Sequence, residues 1–339
     1  MIHSSRAQTW CRGQVTSIVR ALSVALTLGA AAALFAAPAE PEGTFSIVAR
    51  DPSTGELGMA VQSKALATGS RTITIKGGVA AIAHQSQSNP MYGTLGLELL
   101  GAGMSPQQAL DLMLRGDEGR DTRQVAIVDA AGRTAVWTGS AALDWKGHRC
   151  GGNFCAQGNI LTGPEVVQAI ASTFEKSTGH LAERMLAALD AGQAAGGDAR
   201  GTQAAAIVVA KPLAGSAGFG DRVIDLRVDD SRAPLVELRR LLNLFRSRQL
   251  VADATARLAE KKLPAAAEAA QAAREKSPEN DEAWVVWAAT ELAAGRKASA
   301  LEALRRAIEL NPGNRRQLPK NRNLESLWGD PEFKRIMGP

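Results

Sequence analysis

Residues Thr44–Arg50 read T-F-S-I-V-A-R, a short run rich in apolar and β-branched residues. The polar segment Asp51–Glu56, D-P-S-T-G-E, follows it, and a second apolar run occupies Leu57–Val61. A polar turn containing Asp, Pro and Gly between two such runs predicts a β-hairpin. We therefore expect a strand whose first residue, Thr44, carries a hydroxyl group. The alternative is that Thr44 only reflects the preference of threonine for strands.

The residues before this hairpin have the pattern of an export signal. Arg6, Arg12 and Arg20 form a basic start, Ala21–Ala37 is apolar, and Ala37-Pro38-Ala39 offers a cleavage site. We predict a signal peptide over residues 1–39 and a secreted or periplasmic protein. An uncleaved membrane anchor is the alternative, but the apolar run is shorter than the ~20 residues that a span needs. No stable membrane insertion is therefore expected after cleavage.

Composition and charge exclude several classes of function. The net charge is +5, and removal of the three leader arginines leaves +2, which is too mild for a nucleic-acid-binding surface. The sequence has no zinc motif, phosphate-binding loop, dinucleotide fingerprint or nucleophile elbow. We expect neither a metal nor a cofactor.

Two cysteines remain after the leader, Cys150 and Cys155, and they enclose only four residues. In an exported protein this spacing predicts a disulfide that closes a small loop. A metal site is the alternative, but it needs further ligands, and only His148 lies nearby.

The remaining pattern alternates strands and helices. Ala141–Asn159 is expected to be irregular, and His84–Gly93 is expected to be a polar loop at a strand end. Ser105 is expected to cap a helix that has Pro106 at its first position and ends near Leu114. The other predicted strands are 72–75, 79–83, 124–129, 134–138, 204–210 and 223–228, and the other predicted helices are 94–102, 164–176, 181–194 and 234–245. This order argues for a layered α/β or α+β domain.

From about Ser247 the sequence becomes rich in Ala, Glu and Arg and repeats itself. Ala266 and Ala300, and likewise Pro278 and Pro312, are 34 residues apart, which is the tetratricopeptide (TPR) period. We predict two TPR-like repeats over residues 246–314 and a C-terminal cap or tail over 315–339. Two such repeats bury little core alone, so they are expected to pack on the first domain or on a partner.

Six motifs in order resemble the bacterial domain-of-unknown-function family 1028 over about Thr44 to Leu242. They are T-F-S-I-V-A-R-D-P-x-T-G-E-L-G-x-A-V-Q-S-K, N-P-M-Y-G-x-x-G-L-E-L-L, G-H-R-x-G, Q-G-N-I-L-x-G-P-E-V, A-G-Q-A-A-G-G-D-x-R-G-x-Q-A-A and D-L-R-V-D-D. The family is assigned to the N-terminal-nucleophile hydrolase superfamily. The resemblance implies an α+β fold over residues 40–245, a four-layer αββα sandwich of two antiparallel sheets between helical layers.

The resemblance also implies an amide hydrolase whose nucleophile is the Thr44 hydroxyl. A free α-amino group, with a pKa of ~7.7–8.0, can take the proton from that hydroxyl without a second side chain. Lys64 is the candidate to assist this amine; the alternative is an exposed hairpin lysine. The candidate substrate-binding and oxyanion-stabilising residues are Gln85, Asn89, Gln157, Asn159, Asp198 and Arg200. Asp198 and Arg200 are alternatively expected to pair with each other.

Two hypotheses follow. The first is an exported amidohydrolase that acts on a small peptide or amino-acid derivative. It requires a cut between Gly43 and Thr44, because four residues separate the predicted signal-peptide cleavage site from Thr44. The second is a non-catalytic envelope binding or scaffold protein that uses the sandwich and the repeats to bind a protein or peptide. A homo-oligomer is compatible with either hypothesis.

Overall fold

A computed structural model describes residues 43–338. The predicted leader therefore lies outside the described residues. The strands are β1 Thr44–Arg50, β2 Leu57–Ser63, β3 Ile73–Lys76, β4 Ala80–Ser86, β5 Arg123–Asp129, β6 Thr134–Thr138, β7 Gly147–Gly151, β8 Phe154–Asn159, β9 Ala204–Ala210 and β10 Arg222–Val228. The predicted first hairpin is confirmed, since β1 and β2 pair antiparallel from Thr44 opposite Ser63 to Arg50 opposite Leu57.

The strands form two antiparallel sheets. One has six strands in the order β10-β9-β2-β1-β8-β7, and the other has four in the order β3-β4-β5-β6. β1 therefore lies at the centre of the larger sheet, where β2 and β8 satisfy its backbone on both sides. Thr44 lies at the N-terminal end of β1, where neighbouring strands pair with it on both sides.

Helices occupy the segments between and after the strands. They are α1 Thr68–Thr72, α2 Met91–Gly101, α3 Pro106–Arg115, α4 Glu165–Lys176, α5 Leu181–Ala194, α6 Pro234–Ala259, α7 Leu263–Lys276, α8 Asp281–Ala293, α9 Lys297–Leu310, α10 Asn314–Gln317 and α11 Pro331–Met337. The predicted cap of α3 is confirmed, because the Ser105 hydroxyl accepts from the Gln108 backbone N–H and Pro106 opens the helix. No helix within residues 43–338 is both long and apolar enough to cross a membrane.

Three apolar clusters follow from the alternation of side chains along the strands. Phe45 and Ile47 on one face of β1 pack with α4, α5 and α6. Val48 on the opposite face lies in a cluster that also contains Ala81 and Ala126 of the smaller sheet. The far face of that smaller sheet packs on α2 and α3, for example Ile82 with Met113. The domain is thus α+β, with both antiparallel sheets contributing to a shared cluster.

Two segments that lack an apolar pattern turn out to be strands. Within Ala141–Asn159, which we expected to be irregular, β7 and β8 form a hairpin. His84–Ser86, which we expected to begin a loop, completes β4. Both predictions were wrong because β4 and β8 bury polar side chains, namely Gln85, Gln157 and Asn159, so the usual apolar alternation is missing there. The predicted Cys150–Cys155 disulfide is present and links directly opposed residues of the β7–β8 hairpin.

The helix that begins at Pro234 is longer than predicted. We expected it to end at Phe245, but α6 continues to Ala259. Its first half packs Leu238 and Leu242 against the six-stranded sheet, and its second half packs Ala254 against α7 and α8. The predicted boundary at residues 245 and 246 therefore falls inside one continuous helix, which joins the two parts of the chain.

The C-terminal region is a set of paired helices closed by short turns. Ala266 and Ala300, which are related by the 34-residue period, are both fully buried. Leu324 and Phe333 of the final segment belong to the cluster formed by α8 and α9, so this segment covers the end of the helical region. A buried bond between Asn280 Nδ2 and Ser247 Oγ, 2.8 Å long, ties the start of α8 to the middle of α6.

Candidate functional site

Thr44 lies at the start of the central strand and is almost fully buried. It is opposite Ser63 of β2 on one side and opposite Asn159 of β8 on the other. Thr44 Oγ1 donates a hydrogen bond of 3.1 Å to Ser63 Oγ. Ser63 Oγ also accepts from the Ala65 backbone N–H at 3.1 Å. The predicted nucleophile is therefore positioned by a second hydroxyl group from the neighbouring strand.

The carbonyl group of Gly43, which directly precedes Thr44, is held by two donors. Ser63 Oγ donates a hydrogen bond to the Gly43 oxygen. Arg200 Nη2 donates to the same oxygen at 2.8 Å. The peptide bond between Gly43 and Thr44 thus lies inside the hydrogen-bonded cluster, with its carbonyl oxygen facing a hydroxyl and a guanidinium group.

The predicted residues Asp198, Arg200 and Lys64 also meet here. Asp198 is buried, and its Oδ2 accepts from Arg200 Nη2 at 2.8 Å and from the Lys64 backbone N–H at 3.0 Å. Its Oδ1 accepts from the Arg200 backbone N–H at 2.9 Å and from Arg200 Nε at 3.1 Å. Asp198 and Arg200 are thus paired, which is the alternative to their predicted role in substrate binding. Lys64 joins the cluster through its backbone, while its side chain is exposed.

Buried amide groups form the wall next to Thr44. Gln85 Nε2 donates to the Thr44 carbonyl oxygen at 3.1 Å and to Gln124 Oε1 at 2.8 Å. Asn159 Nδ2 donates to the same Gln124 oxygen at 3.1 Å. Ser46 Oγ donates to Gln85 Oε1 at 2.6 Å. Strands from both sheets therefore contribute to one uncharged polar network around the start of β1.

Two acceptors in this wall have no hydrogen-bond partner among the described residues. They are Gln157 Oε1 and Asn159 Oδ1, and both residues are fully buried. In the β1–β8 register, Gln157 is opposite Ser46 and Asn159 is opposite Thr44. An unpaired buried acceptor costs ~1–3 kcal/mol. Such acceptors beside Thr44 suit a bound molecule that supplies N–H or O–H groups.

Asn89 is placed elsewhere by the structure. Its Oδ1 accepts from the Met91 backbone N–H at 3.0 Å, and its Nδ2 lies 3.5 Å from Asp117 Oδ2. Asp117 also pairs with Arg123 at 2.9 Å, and the Arg123 hydrogen bond lowers the pKa of Asp117 to about 2. Burial and the Asp117 hydrogen bond raise the pKa of Tyr92 in the same group. The contacts of Asn89 thus link it to the start of α2.

Three residues that hold the cluster together were not predicted. Ser63 falls within the first motif, in Q-S-K, next to the predicted residue Lys64. Ser46 is the third residue of the opening strand, and period-two alternation places it on the same face as Thr44. Gln124 comes from β5 in the other sheet, and no local pattern links it to Thr44.

His84 neighbours the network in sequence but is neutral. Burial lowers its pKa to about 4. Its ring nitrogens lie 3.0 Å from Thr74 Oγ1 and 2.8 Å from Ser88 Oγ. It therefore serves as a hydrogen-bonding group and carries no charge near neutral pH. Within residues 43–338, no cluster of three or more His, Cys, Asp or Glu side chains could hold a metal ion.

Comparison with known proteins places the first domain in a family. The sequence model of a family of unknown function, DUF1028, matches residues 44–238, which is more than half of the chain. The crystal structure of protein SPO2555 from Silicibacter pomeroyi, which carries the same family description, is similar at 31% identity with a TM-score of 0.54. The similarity covers 59% of this chain and 84% of that one. No curated protein matches the chain. The chain belongs to the DUF1028 family.

Proposed function

We propose that this protein is an exported N-terminal-nucleophile amidohydrolase in which Thr44 attacks the amide bond of a small peptide or amino-acid derivative. The observation that carries the proposal is the Gly43 carbonyl group, held by Ser63 and Arg200 beside the Thr44 hydroxyl. Helices on the outer face of each antiparallel sheet support an αββα layering of the N-terminal-nucleophile type. The Cys150–Cys155 disulfide is compatible with an oxidising compartment.

The first proposed step is self-cleavage before Thr44. Thr44 Oγ attacks the Gly43 carbonyl carbon, and Ser63 Oγ and Arg200 Nη2 stabilise the negative charge that develops on the carbonyl oxygen. The C–N bond breaks and the hydroxyl proton ends on the Thr44 nitrogen, which leaves the Gly43 acyl group on Thr44 Oγ as an ester. Water then hydrolyses the ester, restores the hydroxyl and releases a carboxylate at Gly43.

The second step is catalysis by the cleaved form. The new α-amino group of Thr44 takes the proton from its own hydroxyl, because its pKa of ~7.7–8.0 suits a base at neutral pH. Asn159 Oδ1 lacks a partner among the described residues and lies on the strand opposite Thr44, so it is suited to orient that amine. The substrate acyl group then occupies the place that Gly43 holds before cleavage.

The test combines mass measurement with two variants. The wild-type chain is expected to yield a mature protein that starts at Thr44, and Thr44→Ala to keep residue 43 attached. Thr54→Ala is the control, since Thr54 lies in the exposed turn after β1. The mature wild type is expected to form a covalent adduct with an electrophilic amide analogue, whereas Thr44→Ala is not. A Thr44→Ala chain that is cleaved and labelled like the wild type would overturn the proposal.

A groove in the helical region favours a second function, the binding of a peptide by TPR-like repeats. The groove lies between α6, α8 and the C-terminal turns and has a volume of about 580 Å³. Its lining includes the apolar Val251, Val285 and Leu318 and the polar Asn314, Gln317 and Asn321. Amide side chains beside an apolar floor suit the backbone of an extended peptide.

This second function is tested with the full chain and a peptide array. Val285→Arg, which fills the groove with charge, is expected to lower peptide binding at least tenfold. Val236→Arg is the matched control, because Val236 is 71% exposed near the start of α6. Equal loss of binding in both variants, or no loss in either, would contradict a peptide site in this groove.

A further inference from the structure

We infer that the site acts on amides in which glycine supplies the scissile carbonyl group, with the glycine nitrogen itself acylated. This inference rests on the proposed function and specifies its substrate class. The ester formed by self-cleavage joins the Gly43 acyl group to Thr44 Oγ. The acyl-enzyme of an external substrate has the same ester linkage to the same oxygen. The surroundings of Gly43 are therefore the surroundings of the substrate acyl group.

The space around the Gly43 Cα excludes an L side chain. A Cβ added there would lie 2.8 Å from Ile160 Cβ and 2.9 Å from each carboxylate oxygen of Asp198. Carbon atoms in proteins make favourable contact at ~3.5–4.0 Å, so the separation from Ile160 Cβ is far inside contact. The two separations from the carboxylate oxygens are also shorter than Cβ atoms show in proteins. Even alanine, the smallest chiral residue, would therefore require Ile160 and Asp198 to move.

The Asp198 carboxylate is held in place by its contacts. Asp198 is 3% exposed and accepts hydrogen bonds from Arg200 and from the Lys64 backbone N–H on its two oxygens. Its backbone forms a β-bridge with Leu161. Displacing the carboxylate would break charge-assisted bonds inside a buried cluster, where such bonds are strong.

Ile160 is equally constrained. Ile160 donates its N–H to the Leu143 carbonyl at 3.1 Å, and its carbonyl accepts from Ala199 N–H at 2.9 Å. The contact atom is Cβ, which moves only with the backbone. Ile160 also has a φ of 52°, which is costly for a β-branched residue and shows that its surroundings enforce this conformation.

The peptide bond before Gly43 indicates that the glycine nitrogen of the substrate is acylated. The Gly43 nitrogen is in a peptide bond with the preceding residue, so an acylated glycine nitrogen is what the precursor presents. In the reaction, the Thr44 Oγ–carbonyl bond forms and the C–N bond of the substrate breaks. The amine leaves with the proton that the Thr44 amino group took from the hydroxyl. Water then releases an N-acylglycine carboxylate and restores Thr44.

The first arm of the test uses the full chain and measures self-cleavage by intact mass over time. Gly43→Ala is expected to slow cleavage at least tenfold, and Gly43→Val to abolish it. Gly101→Ala is the matched control, because a Cβ at Gly101 meets nothing within 4 Å. Cleavage of folded Gly43→Ala at the wild-type rate would overturn the inference.

The second arm uses the mature wild-type enzyme, with its N-terminus at Thr44 verified by mass. The probes are N-acetyl-glycyl, N-acetyl-L-alanyl and N-acetyl-L-valyl amides of one fluorogenic amine. We expect kcat/KM for the glycyl amide to exceed that for the alanyl amide at least tenfold, with no turnover of the valyl amide. Equal or faster turnover of the alanyl amide would overturn the inference and leave the proposed hydrolase intact. Turnover that persists in Thr44→Ala, or none by the mature enzyme with any amide, would instead overturn the proposed function together with the inference.

Discussion

Ser63→Ala is the most informative single change, because the Ser63 hydroxyl group contacts both the proposed nucleophile, Thr44, and the Gly43 carbonyl group that it attacks. Ser63 Oγ donates to the Gly43 carbonyl oxygen and accepts from Thr44 Oγ1 and from the Ala65 N–H, each of the latter two at 3.1 Å. The residue is fully buried at the end of β2. The alanine variant keeps Cβ and the strand pairing and removes only these hydrogen bonds.

The expected effect follows from the donors that remain. The developing charge on the Gly43 oxygen loses one of its two donors, and Arg200 Nη2 stays at 2.8 Å. Removal of one such donor typically lowers a rate by ~10²–10³-fold. The loss of buried hydrogen bonds is expected to lower the free energy of unfolding by ~1–3 kcal/mol, which a domain with a typical ~5–15 kcal/mol tolerates.

The assay follows the fraction of chains that start at Thr44 by intact mass after a short pulse of expression. A thermal unfolding scan of each variant verifies that the domain is folded. Ser70→Ala is the control, because Ser70 is exposed on α1 and its hydroxyl donates to the Ala67 carbonyl at 2.8 Å. Processing of folded Ser63→Ala as fast as that of wild type and Ser70→Ala would show that Ser63 does not stabilise the charge that develops on the Gly43 oxygen.

Three further predictions concern stability. Burial lowers the pKa of His84 from 6.5 to about 4 in the folded state, so below pH 6.5 the unfolded chain takes up a proton that the folded chain does not. The free energy of unfolding is therefore expected to fall by about 3 kcal/mol as the pH drops from 6.5 toward 4. His84→Gln is expected to remove that part of the pH dependence in urea unfolding, and an unchanged slope between pH 6.5 and 4.5 would contradict it. The double change of Cys150 and Cys155 to Ala is expected to cost ~2 kcal/mol, since the closed loop is short; a reducing agent should destabilise the wild type equally and the double variant not at all. Asn280→Ala, which breaks the 2.8 Å bond to Ser247, is expected to cost ~1–3 kcal/mol in the same assay, and a loss below 0.5 kcal/mol would show that α6 and α8 are held by apolar packing alone.

Elements with a regular apolar pattern could be predicted from the sequence. Ala204–Ala210 is continuous in apolar residues because its strand is buried on both faces, and the predicted bounds match β9. Leu181–Ala194 shows helical periodicity because one face packs on the sheet, and it matches α5. In both segments the local pattern reflects burial directly.

The strands around the site could not be predicted in this way. β8 reads F-C-A-Q-G-N, and its polar residues Gln157 and Asn159 are buried instead of facing water. The end of β4 buries Gln85 for the same reason. Buried polar side chains that hydrogen-bond to one another interrupt the alternation of apolar and polar residues that identifies a strand. The strands that form the site are therefore the hardest to predict from the sequence.

The length of α6 differs from the prediction for another reason. The change in composition near Ser247 suggested a domain boundary, yet no Gly or Pro lies between Leu235 and Ala259 to end the helix. The helix continues because its first half packs apolar residues on the six-stranded sheet and its second half packs apolar residues on α7 and α8. Gln124 was not predicted because it joins the network around Thr44 from a strand of the other sheet, through Gln85 and Asn159. Ser63 lies in the first motif, but only the pairing of β1 with β2 brings its hydroxyl group to Thr44.

In the proposed mechanism, Thr44 becomes the N-terminus and acts as the nucleophile. The most direct measurement is the intact mass and N-terminal sequence of the wild-type protein recovered from the exported fraction, with Thr44→Ala beside it. We expect the wild-type chain to start at Thr44 and the variant to keep Gly43, as the proposed mechanism requires. A folded, exported wild-type chain that still carries the residues before Thr44 would contradict it, because the hydroxyl would then have no terminal amine to take its proton.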